Sequence, residues 1–128
     1  MQLQMQQIIN FTNFYETAKQ EKLSIKTAYK LAQLASSIET NIAFYREKLQ
    51  AIIIQYGELD ENGRPVPTED GQGIKLRPGT DMDCNKAMYE LQTFEVELPD
   101  ITFTIEEFEG MNLSVAEIAP LMPFIKMD

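Results

Sequence analysis

The sequence contains no histidine, no tryptophan and a single cysteine in 128 residues. Without imidazole, histidine triads and histidine metal sites are excluded, and one thiol makes neither a cysteine zinc site nor a disulfide framework within the chain. A lone thiol also points to a reducing compartment. Long apolar runs are missing as well. The longest strongly apolar stretch, Ala51 to Ile54, falls far short of the ~20 residues that a membrane helix needs. The N-terminal Met-Gln-Leu-Gln-Met-Gln-Gln lacks the basic start and apolar centre of a secretory leader. These absences point to a cytoplasmic protein with no membrane partner.

What is present is an ordinary globular composition, 44% hydrophobic and 24% charged, with a formal net charge of −9. The charge is unevenly spread. Residues 1–56 hold six bases and four acids, net +2, whereas residues 57–128 hold five bases and 16 acids, net −11. So acidic a half repels a phosphate backbone and excludes duplex nucleic acid as its partner. It suits a basic protein surface, or simply keeps the chain soluble.

Periodicity predicts a mainly α fold. Ile8, Phe11, Tyr15 and Ala18 recur on one helical face, predicting a first helix over about Leu3–Gln20. The strongest signal follows. Ala28, Leu31, Ala35, Ile38, Ile42, Tyr45, Leu49, Ile52 and Tyr56 alternate steps of three and four, a heptad seam over four repeats. Ser24 is placed to cap this helix, and Gly57 to end it in a left-handed conformation. A helix from Ile25 to Tyr56 is about 48 Å long at 1.5 Å per residue. A return helix reaches only the distal half, so the first helix or a second subunit must cover the proximal stretch Ala28, Leu31, Ala35, Ile38, Ile42 and Tyr45; because the seam exceeds what the chain's own helices can cover, another copy is expected there. A homo-oligomer, most simply a two-fold dimer, follows.

Glycines, prolines and Asp60-Glu61-Asn62-Gly63 mark residues 58–78 as a turn-rich tip, read as a small β-hairpin or loop. Thr80 or Asp81 then caps a return helix whose apolar positions Cys84, Ala87, Leu91, Phe94 and Leu98 pack antiparallel on the distal half of the long helix. Beyond Pro99, alternation over Ile101, Phe103 and Ile105 predicts a short strand. Thr104 with Glu107, and Ser114 with Glu117, fit the capping box. Leu121, Met122, Phe124 and Ile125 form an apolar tail, either core or a partner-binding segment. The expected architecture is a long antiparallel helical hairpin in a single elongated domain: 1–57 helical, 58–79 tip, 80–98 return helix, and 99–128 C-terminal strand and short helix.

Candidate chemistry is sparse. Asp60-Glu61-Asn62-Gly63 fails as a calcium loop, because its glycine comes at the fourth place and Pro65 and Pro67 occupy the ligand run. Gly71-Gln72-Gly73 lacks the strand and helix of a phosphate cradle. Glu95 with Glu97, and Glu106, Glu107 and Glu109, read as a solvated face, and Cys84 as a small core residue. No nucleophile–base pair, metal set or cofactor motif is visible, so a non-enzyme is expected. Two binding surfaces remain. Lys22, Lys26 and Lys30, four apart with Tyr29 beside them, form a stripe that could hold a small anionic nucleotide. The tip carries Glu58, Asp60, Glu61, Glu69 and Asp70 against one base, Arg64, with Leu59, Val66 or Ile74 as an apolar anchor for a protein partner.

The stretches Leu23–Ala32, Gln55–Gly63, Phe94–Pro99 and Leu113–Ile125 resemble a family of small, uncharacterised proteins from bacteriophages of Gram-positive hosts, over about residues 20–126. The resemblance implies a phage gene product acting in the cytoplasm of the infected bacterium or in the virion. It names no activity and no catalytic residue. Three readings stay open: an interaction protein that binds and modulates a host defence or replication component, a sponge for a small anionic nucleotide signal, and a virion assembly or accessory protein.

Overall fold

The computed structural model describes residues 1–126. The fold is mainly helical. A three-residue strand β1 (Gln2–Gln4) leads into helix α1 (Met5–Ala18), followed by the unbroken helix α2 (Ile25–Tyr56), helix α3 (Asp81–Thr93), strand β2 (Glu95–Glu97) and a short helix α4 (Val115–Ile118) that tightens into a 3-10 turn over Ala119–Phe124. The chain that reads as one domain groups into two compact units, Met1–Ile42 with Glu95–Asp128, and Ala43–Phe94, so that α2 contributes residues to both. Among the described residues, no helix is long and apolar enough to cross a membrane.

The first unit holds most of the buried side chains. α1 turns Met5, Ile8, Phe11, Phe14 and Ala18 inward, whereas Tyr15 is only partly buried. On α2 the inward stripe is Thr27, Leu31, Leu34 and Ile38. This corrects the proximal seam. Ala28 is exposed and Ala35 half-exposed, because the larger Leu34, one position away, offers more apolar surface to bury. Leu31 and Ile38 are covered by the chain itself, in one core with α1 and the C-terminal segment. The proximal seam is therefore not an open surface awaiting another copy. Ile42 packs partly buried against the same core, and Tyr45 is half-buried on the second unit's part of α2.

The apolar tail docks as core. Leu121 and Phe124 are fully buried, with the Phe124 ring 5.1 Å from that of Phe11. Backbone bonds fix this placement: the Phe103 N–H donates to the Phe124 carbonyl, and the Lys126 N–H to the Phe103 carbonyl, both at 2.8 Å. The strand expected over Ile101–Ile105 is reduced to this one parallel bridge between Phe103 and Ile125. Ile105–Phe108 instead winds into a 3-10 turn, because the Glu107 carboxylate reaches back 2.8 Å to the Thr104 N–H, the turn-forming half of a capping box. The second box closes in both directions, Ser114 N–H to Glu117 and Glu117 N–H to Ser114 Oγ, each 3.2 Å.

Two element boundaries differ from the periodic reading. The first helix starts at Met5, since Gln2–Gln4 pairs antiparallel with Glu95–Glu97 in the register Gln2↔Glu97, Leu3↔Val96, Gln4↔Glu95. For the same reason α3 stops at Thr93 and does not continue to Leu98. Leu98 satisfies the helical period but lies just past β2, where its N–H donates to the Met1 carbonyl at 2.8 Å, and this long-range pairing prevails over the helix.

In the second unit α3 runs antiparallel to the distal part of α2. The rings of Phe44 and Phe94 lie 5.8 Å apart at one end. At the other end the Thr80 hydroxyl donates to the Tyr56 carbonyl at 3.3 Å and to the Arg77 carbonyl at 2.6 Å. Thr80 thus stands at the start of α3 without capping it by its side chain. Cys84 is buried.

Candidate functional site

The tip, residues 57–79, is a closed backbone device. Glu58 N–H donates to the Lys75 carbonyl (2.8 Å), Lys75 N–H to Val66 (2.8 Å) and Val66 N–H to Glu58 (2.9 Å), so three short segments each pair with the other two. Antiparallel bridges Gly57↔Leu76, Leu59↔Pro65 and Pro67↔Ile74 sit on the three contacts. Pro65 and Pro67 are compatible with this pairing because the donating amides are those of their neighbours Val66 and Thr68. The three connecting turns each place a glycine at positive φ: Gly63 (74°), Gly71 (72°) and Gly79 (82°), eight residues apart. Gly57 ends α2 without a positive φ, contrary to the expected left-handed cap. Its glycine is needed because a Cβ there would lie 2.5 Å from the Ile53 carbonyl oxygen.

Two of the acids predicted as partner-binding build the loops themselves. Asp60 Oδ1 accepts from the Asn62 N–H (2.8 Å) and the Arg64 N–H (3.0 Å). Asp70 Oδ1 accepts from the Thr68 hydroxyl (2.5 Å) and the Gln72 N–H (3.0 Å). The Thr68 hydroxyl, then the Gln72 amide, hold the Asp70 carboxyl below its ordinary value. Glu58, Glu61, Glu69 and Arg64 project into solvent, and among the described residues none of the tip's charged side chains forms an ion pair. Of the three possible apolar anchors, Val66 and Ile74 are half-buried in the ring, and Leu59 stands 39% exposed. The predicted tip residues thus lie on one closed backbone ring, with Asp60 and Asp70 holding two of its turns and Glu58, Glu61, Glu69, Arg64 and Leu59 exposed.

The lysine stripe fares differently. Lys22, Lys26 and Tyr29 are exposed, but Lys30 turns into its own fold. Its ammonium lies 3.0 and 3.2 Å from the two Glu107 carboxylate oxygens, 2.9 Å from the Thr102 carbonyl and 5.3 Å from the centre of the Phe103 ring. The Thr27 hydroxyl, fully buried, donates to the same carboxylate at 3.3 Å and receives the Ser24 hydroxyl at 3.0 Å. The Ser24 side chain also caps α2, accepting the Thr27 N–H at 3.2 Å. Burial pushes the Glu107 carboxyl up, but the Thr104 amide, Lys30 and Thr27 together outweigh it and hold it below its ordinary value. Glu107 is the residue that sequence reasoning missed, since a capping-box glutamate gave no sign of its second partner 77 residues away.

Among the described residues no three His, Cys, Asp or Glu side chains are grouped as metal ligands would be. No family model, curated protein or solved structure gives a significant match to the chain.

Proposed function

We propose that this protein is a non-catalytic interaction protein of phage origin, which binds a basic surface of a host protein through the tip and modulates that protein in the cytoplasm of the infected bacterium. The observation that carries the reading is the tip's construction. Its fold is held by main-chain bonds and by Asp60 and Asp70, which leaves Glu58, Glu61 and Glu69 exposed and without an ion-pair partner among the described residues, and Leu59 39% exposed. Loops on a rigid scaffold present binding groups at low entropic cost, like charges accelerate encounter with an opposite surface, and one apolar anchor supplies specificity. The engagement of Lys30 with Glu107 removes one of the three cations from the stripe on which the nucleotide reading depends.

The test is capture from a Gram-positive host lysate with the tagged full chain, run at low and at high salt, against a variant carrying Asp60→Asn, Glu61→Gln, Glu69→Gln and Asp70→Asn. The amides keep the loop-forming oxygens of Asp60 and Asp70, so the fold survives. A host protein retained by the parent chain, released by salt and lost in the variant is the expected result. Retention by both chains, insensitive to salt, rejects the tip as the contact surface.

A further inference from the structure

The second unit has little core of its own. Across residues 43–94 the buried hydrophobic side chains are Cys84 and Leu91; of the large exposed ones, Phe44 and Phe94 line one groove, whereas Ile54, Leu59, Met82 and Tyr89 stand outside it. A helical hairpin this short leaves too much apolar surface wet for its size. Between α2 and α3 runs a groove of about 340 Å³. The small side chains of Ala51 and Ala87 in its lining leave room for another helix to approach, and the paired rings of Phe44 and Phe94 stand at one end.

The groove's charges say what fits it. Lys48 on the α2 wall and Glu90 on the α3 wall both line it. Both are exposed, and neither has an ion-pair partner among the described residues. Lys48 lies 5.6 Å over the Phe44 ring, one turn from the Phe44–Phe94 contact, and Glu90 is one turn from the same contact on α3. The two charges therefore occupy the same level of the hairpin on opposite walls. A surface with one cation and one anion placed this way is complementary to itself under two-fold rotation, as an isologous interface requires.

We infer that the groove is covered by the same groove of a second copy of this chain, giving a four-helix arrangement in which Lys48 of each copy faces Glu90 of the other and the exposed phenylalanines are buried between them. This contact is distinct from the proximal seam, which the chain covers itself, and it does not depend on what the tip binds.

The test is a charge exchange on the full chain, read by sedimentation equilibrium at micromolar concentration. The parent is expected to be a dimer. Lys48→Glu and Glu90→Lys each set two like-charged pairs across the interface and are expected to weaken it about tenfold or more. An equimolar mixture of the two single variants is expected to recover a dimer containing one of each, because both facing pairs are then opposite in charge. The double variant is expected to recover its own dimer. Far-UV circular dichroism matching the parent shows that each variant is folded, and Ala51→Gln, which adds bulk to the groove with no change of charge, is expected to weaken the dimer likewise. A monomeric parent, single reversals that leave the dimer intact, or weakened variants that fail to recover on mixing would each overturn the inference.

Discussion

Replacing Glu107 by alanine removes the acceptor on which three groups converge: the Lys30 ammonium at 3.0 and 3.2 Å, the Thr104 N–H at 2.8 Å and the Thr27 hydroxyl at 3.3 Å. The Glu107 side chain is 14% exposed and that of Lys30 25%, so water replaces the lost carboxylate only in part. Hydrogen bonds to charged groups contribute roughly 1.5–3 kcal/mol, and a fully buried ion left without its partner costs roughly 3–5 kcal/mol. For this partly exposed pair, Glu107→Ala should destabilise by about 2–3 kcal/mol. Lys30→Met keeps an apolar stem but removes the ammonium from Glu107 and from the Phe103 ring, and should cost about 1–2 kcal/mol. Because both variants break one interaction, the double variant should recover a coupling of about 1–2 kcal/mol. The pH dependence has a definite sign. The folded state holds Glu107 below its ordinary value of 4.5, so its contribution is present above that value and is lost as pH falls through the folded one. Urea unfolding followed by far-UV circular dichroism at neutral pH, and again at about pH 3, should show the parent–variant difference shrinking in acid. A coupling within about 0.3 kcal/mol of zero, or a difference constant into acid, would refute the assignment.

Phe124→Ala should cost about 3–5 kcal/mol, since the ring is fully buried against Phe11, and a midpoint shift in urea measures it. Gly57→Ala should destabilise by about 1 kcal/mol or more, because its Cβ meets the Ile53 carbonyl oxygen at 2.5 Å; Gly110→Ala, whose Cβ meets nothing within 4 Å, should be neutral or slightly stabilising in the same assay. The Cys84 thiol, buried in the second unit, should react with a thiol reagent at the rate of unfolding, and burst-phase labelling of the native chain would contradict its placement.

Local chemistry was legible wherever a few neighbouring residues settle it. Ser24 and Ser114 cap as their side chains dictate, and the steps of three and four from Leu31 to Tyr56 yield one helix. What was not legible depends on partners distant in sequence. Met1, Leu3 and Met5 alternate with Gln2 and Gln4, a strand pattern too short to outweigh the helical period beside it, and only pairing with Glu95–Glu97 favours it. Which face of α2 turns inward was set by volume: Leu34 and Thr27 prevail over Ala35 and Ala28 once α1 and the C-terminal phenylalanines supply a concave partner. At the tip the acidic composition was plain, but the division of labour was not. Asp60 and Asp70 shape their own turns while their neighbours face solvent. The eight-residue spacing of Gly63, Gly71 and Gly79 was the available clue to a threefold turn device.

Site-specific photocrosslinking tests the central claim most directly. A photoreactive amino acid installed in place of Glu61, or separately of Glu69, samples the solvent-facing side of the tip; one installed in place of Lys26 samples the lysine stripe. Irradiation of host cells expressing the full-length chain should give an adduct with the same host protein from both tip positions and none with it from Lys26. An adduct from Lys26 alone, or tip positions that capture nothing while the chain still modulates its host, would contradict the account.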